Sequence, residues 1–118
     1  MGYWNIEGLN INSDDSKMSD NDLQKIIKQH DIFTLGETHI GEHHILAVEG
    51  YGCVKICHSL NKSINRYFGG IAVFYKLELR QGIKFLEHRN NDFIWVQLKR
   101  EFFGLDEDLF VCFVYIPP

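Results

Sequence analysis

The 118 residues contain no apolar run of membrane-spanning length, no C-x-x-C pair, no internal repeat and no Pro/Ser-rich linker, and their two prolines are Pro117 and Pro118. The first absence excludes a transmembrane helix, and so gives no membrane partner. The lack of repeats argues against a solenoid or propeller. Without a linker there is no boundary to propose, so residues 1–118 are read as one unit. Met1-Gly-Tyr-Trp-Asn-Ile lacks the basic start and apolar stretch of a signal peptide. Cysteine is scarce: Cys53, Cys57 and Cys112 make an odd count, which suits thiols in a reducing compartment better than a disulfide framework.

At 45% hydrophobic and 24% charged residues the composition is that of a globular protein. A chain of this length buries roughly two thirds of its unfolded surface, enough for one core. The formal net charge of −4 conceals a segregation. Residues 1–50 hold three Lys/Arg against nine Asp/Glu, residues 51–100 nine against three, and residues 101–118 none against four. Lys55, Lys62, Arg66, Lys76, Arg80, Lys84 and Arg89 in the basic middle could face a polyanion, or be a solvated surface of mixed charge.

The pattern along the chain is mainly that of strands. YWNIE starts as a strand near the amino end. Ser19 stands three residues ahead of Asp22 as a capping serine, with Leu23, Ile26, Ile27 and His30 following at helical spacing, which predicts a helix of about eleven residues. DIFTL (31–35) follows directly, and strand, helix and strand in close succession predict a layered α/β unit. CVKIC and parts of FIWVQLK (93–99) alternate as half-buried strands do. GGIAVFY (69–75) and LFVCFVYI (109–116) are apolar throughout and predict strands covered on both faces.

The densest chemistry lies in LGETHIGEHH (35–44), which can be read in two ways. His39-Ile-Gly-Glu42-His43 fits H-x-x-E-H, in which two histidines one helical turn apart bind zinc and the glutamate acts as base. Gly41 weakens the required helix by roughly 1 kcal/mol, and no later helix is evident to carry a third ligand. In the other reading Glu37, just past a strand, holds a hard cation such as Mg²⁺, which takes one or two carboxylates and keeps several waters.

Taken in order, Trp4-Asn-Ile-Glu-Gly-Leu9, DIFTLGETH, GGIAVFY, FIWVQLK and VYIPP resemble the endonuclease/exonuclease/phosphatase superfamily. Within it they look most like the apurinic-type endonuclease domains of non-LTR retrotransposons. The resemblance covers essentially this whole chain but only about the first half of the family's domain. It implies the amino-terminal half of a DNase I-like α/β sandwich, a strand-rich mixed sheet with a flanking helix. It also implies a nuclease that uses Mg²⁺, or alternatively Mn²⁺, to nick DNA for a reverse transcriptase expected downstream, and hence a nuclear location. Asn5 is similar to the family's asparagine at the end of the first strand, which orients metal and phosphate. Glu7 falls where relatives have an acid near the metal, Glu37 resembles the principal metal-binding glutamate, and Tyr115 the tyrosine that approaches the scissile phosphate. The family's later G-D-x-N and S-D-H motifs are not among these residues, so this piece alone is expected to be inactive. Gly36 stands where many relatives carry Gln, and Pro118 where repair-type enzymes have Asn. A nucleic-acid-binding remnant using the basic middle with Tyr51, Tyr67 and Phe68 is the alternative, and a zinc peptidase through His39, Glu42 and His43 a more distant one.

Overall fold

A computed structural model of the chain describes residues 1–9, 16–86 and 92–116. Arg89 and the two prolines of the VYIPP motif lie outside the described residues. Strand β1 (Gly2–Asn5) leads through helix α1 (Asn21–Lys28) to β2 (Ile32–Gly36). β3 (Tyr51–Ile56), β4 (Ile71–Lys76), β5 (Ile83–Phe85) and β6 (Phe93–Leu98) follow, then a one-turn helix α2 (Arg100–Phe103) and β7 (Leu109–Val114).

The helix is shorter than the sequence suggests at both ends: its cap is one residue later, and it stops at Lys28, short of His30. Asp20, in extended conformation, accepts the Asp22 N–H at 2.8 Å through its side chain, satisfying a free amide of the first turn. Leu23 and Ile27, four apart and fully buried, form the inward stripe, while Lys25 and Lys28 suit the negative end of the helix. Return of the chain through this helix makes β1 and β2 parallel, with Tyr3 opposite Thr34 and Asn5 opposite Gly36.

The strands form two sheets. A mixed sheet runs β1-β2-β4-β3, and an antiparallel one runs β5-β6-β7. Alternation along β2 divides its buried residues between two cores. Phe33 and Leu35 join Ala72, Phe74, Leu23 and Ile27 under the helix. Ile32 joins Ile56, Ile71 and Val73 against Ile94, Val96, Leu98 and Phe113 of the second sheet. The α/β sandwich expected from the sequence is therefore present as three layers: helix, mixed sheet, antiparallel sheet. Truncating a fully buried residue such as Phe74 at its centre would cost roughly 3–5 kcal/mol.

Two strand expectations are corrected. β7 is covered on one side only: Val111, Phe113 and Tyr115 turn to the core, whereas Phe110 is 54% and Val114 45% exposed. Trp95, paired with Cys112 on the same outer face, is 41% exposed. An apolar run identifies a strand but does not reveal what covers each face. β3 is half-buried along most of its length instead of alternating. All three cysteines are free; burial raises the Cys53 thiol to about 12 and the Cys57 thiol to about 11, so neither is a ready nucleophile.

Candidate active site

One row of paired residues crosses the mixed sheet at the end where β1, β2 and β3 finish: Asn5 beside Gly36, Gly36 beside Ile71, and Ile71 beside Ile56. Beyond this row β1 and β2 continue into Glu7 and Glu37, β3 into His58, and β4 is entered from Gly69-Gly70. In the second sheet Phe93 pairs with Val114, so Asp92 and Tyr115 come together, and the Tyr115 N–H donates to the Asp92 carbonyl at 2.7 Å.

The two sheets are joined there by a side-chain hydrogen bond. The Tyr115 hydroxyl donates to Glu37 Oε1 at 2.8 Å across 78 positions of sequence. Tyr115 is buried, and burial followed by the Glu37 carboxylate pushes its phenol up to about 12, keeping it a donor at neutral pH. Tyr3 is raised by the same two causes in the same order. A Cβ on Gly36 would collide with the Tyr3 hydroxyl, so the absence of a side chain at position 36 lets a second phenol approach Glu37. Tyr3 was not anticipated from the sequence; its only signal is a glycine directly before Glu37, in a neighbouring strand.

The loops beyond the strands remain zipped together. Ile6 N–H donates to Gly36 O at 2.9 Å, Gly8 N–H to Glu37 O at 2.7 Å and His39 N–H to Gly69 O at 2.9 Å. Glu7, Glu37 and His39 all have φ of 55°, in the left-handed region, where an L-residue costs about 1–3 kcal/mol unless its surroundings enforce it. Such strain gathered at strand ends is typical of functional sites. The Asn5 side-chain oxygen accepts the Glu7 N–H at 3.1 Å, fixing the first turn and leaving its amide N–H₂ for another acceptor. The Glu7 side chain is exposed.

His58 and Asp92 form a pair that sequence inspection overlooked. His58 Nε2 and Asp92 Oδ1 lie 2.8 Å apart, and the Asp92 charge reaches the Tyr115 phenol. Neither residue sits in a recognisable motif, and they meet only because β3 ends at the level where β6 begins.

The zinc-peptidase reading of His39, Glu42 and His43 is overturned by the backbone. Residues 37–41 are not helical, and His39 is left-handed, so the two histidines are not one helical turn apart on a common face. His39 instead lies against Gly8 and Phe68, while the His43 ring stacks near His44 and Tyr67. Among the described residues no group of three or more His, Cys, Asp and Glu could hold a metal. The basic middle is also dispersed. Lys76 pairs with Asp31 at 3.0 Å, and Tyr51 donates to the His30 carbonyl at 2.6 Å, both at the opposite end of the mixed sheet from Glu37.

The donors at this end are oxygens, a carboxylate at Glu37 and an amide at Asn5, a set that suits a hard cation such as Mg²⁺ better than a soft metal. An acid, an amide and two phenols thus gather at one end of an α/β sandwich. The endonuclease/exonuclease/phosphatase family model matches residues 2–114, and the chain belongs to that family. The match contains Asn5, Glu7 and Glu37, with Tyr115 immediately after it. Comparison with curated proteins and with solved structures gave no significant match.

Proposed function

We propose that these residues form the amino-terminal part of a Mg²⁺-dependent DNA endonuclease of the non-LTR retrotransposon kind, with Mn²⁺ able to substitute. It would nick DNA in the nucleus and leave a 3′-hydroxyl for a reverse transcriptase. The observation that carries this reading is the Tyr115–Glu37 hydrogen bond, which joins a metal-competent carboxylate to a phenol donor at the ends of two sheets. When bound, the cation would neutralise charge developing on a phosphate oxygen. Glu37 would be its principal ligand, with Asn5 and Glu7 beside it. The Asn5 amide would hold the phosphate, while the Tyr115 hydroxyl, whose single proton goes to Glu37 in the free protein, would fix the orientation of that carboxylate and turn its proton to the phosphate once a cation takes the Glu37 oxygens.

Because the G-D-x-N and S-D-H motifs are not among these 118 residues, activation of the attacking water needs groups supplied from elsewhere. Losing a positioned acid–base group alone typically lowers rates roughly 10²- to 10⁴-fold, so this chain by itself is expected to bind metal and DNA without cleaving. That same absence favours the second reading, a nucleic-acid-binding remnant.

A substoichiometric Mn²⁺ titration followed by amide NMR tests the metal assignment without requiring activity. Paramagnetic broadening should centre on residues 5–8 and 36–39 and disappear in Glu37→Gln. Broadening that stays unchanged in Glu37→Gln, or centres elsewhere, would overturn it.

A further inference from the structure

We infer that the loop pair carrying Phe68 is a stacking platform for an unpaired nucleobase, set beside the phosphate site. The inference rests on the nucleic-acid reading above and adds which part of the polymer this face takes. Phe68 is 43% exposed although it directly precedes Gly69-Gly70, whose carbonyls accept the His39 and Thr38 amides. Its backbone is thus held to the Glu37 loop while part of its ring stays open to solvent. The His39 ring packs 5.7 Å away, inclined at 65°, and braces one side of the Phe68 ring.

The neighbouring side chains brace this edge. Tyr67 packs over Gly41, where a side chain would collide with its ring, and stands at 86° to His44. The Lys55 amine donates to the Glu42 carbonyl, tying the 41–44 loop to β3. The hairpin before Phe68 is closed by paired backbone bonds between Asn61 and Arg66, and its exposed Lys62 and Arg66 give it positive charge.

An exposed aromatic ring on a braced backbone, next to exposed cations and an anion-directed site, matches the chemistry of single-stranded nucleic acid. The cations follow phosphates and the ring takes a base face regardless of sequence. In a closed duplex those faces are occupied by neighbouring base pairs, so the platform favours an opened or single strand.

Fluorescence anisotropy of the full chain with labelled oligothymidylate in EDTA tests this. Phe68→Ala should weaken binding about tenfold, Phe68→Trp should restore it, and affinity for a duplex should be the same for all three proteins. Paired removal of Lys62 and Arg66 should weaken both probes and flatten the salt dependence. Circular dichroism establishes that each variant is folded; should Phe68→Ala not fold, Phe68→Leu replaces it with the same expected loss. Unchanged oligothymidylate affinity in a folded Phe68→Ala or Phe68→Leu protein, or no binding by the unmodified chain, would overturn the inference. The metal-dependent reading fails separately, if Mn²⁺ broadening ignores Glu37 while the Phe68 effect in EDTA persists.

Discussion

Replacing Tyr115 by Phe removes one oxygen and leaves the ring in the core between the two sheets, so its effect isolates the bond to Glu37 at 2.8 Å. A hydrogen bond to a charged acceptor contributes about 1.5–3 kcal/mol net. Glu37 is only half-buried, so water can partly replace the lost donor, which lowers the expected loss to about 1–2 kcal/mol. For a domain of this size that is a fall in Tm of roughly 4–8 °C. Urea unfolding of the unmodified chain, Tyr115→Phe, Glu37→Ala and the double variant gives the coupling between the two side chains directly. A coupling near 1 kcal/mol is expected, because each single change removes one end of the same bond. Additivity within about 0.3 kcal/mol would refute the claim that this contact ties the two sheets together.

Alkaline pH should act through the same phenol. Tyr115 is raised from 10.0 to about 12, so above pH 10 the native state keeps a proton that the unfolded chain loses; stability is complete below that point and declines as pH rises towards 12. Cys53 and Cys57, raised from 9.0 to about 12 and about 11, add a decline of the same sign beginning near pH 9. Urea midpoints should therefore be level below pH 9 and fall above it, less steeply in Tyr115→Phe; a midpoint that holds or rises there would contradict the assignment. The open face of β7 makes a separate prediction. With Phe110, Val114 and Trp95 exposed on an outer strand and its neighbour, the isolated chain should associate. Sedimentation should show mass rising with concentration and Phe110→Lys reducing it; a monomer at all concentrations would count against this.

Local order could be read from local signals. The capped amphipathic helix, the apolar β2 and β4 and the alternating β6 each declare themselves within a few residues, because helix and strand periodicities are properties of neighbouring positions. Small displacements arose where two local choices compete, as when Asp20 took the cap expected of Ser19. β5 and α2 were not foreseen: three residues of strand and four of helix are too few to establish a period. The strand-end motifs also carried the family resemblance that the match over residues 2–114 supports.

What the sequence determined by itself was the kind of elements, their order, and the presence of an acid just past a strand. Tertiary structure decided which of those residues meet. Tyr115 reaches Glu37 over 78 positions, His58 reaches Asp92 over 34, and Tyr3 occupies the space that Gly36 leaves, none of which follows from spacing along the chain. The fold also removed possibilities that composition left open, sending Tyr51 and Lys76 to the far end and giving His39 a left-handed backbone in place of a helix. Periodicity fixes the direction of a side chain relative to its own strand, whereas its partner depends on strand register and sheet stacking, which only the folded chain supplies.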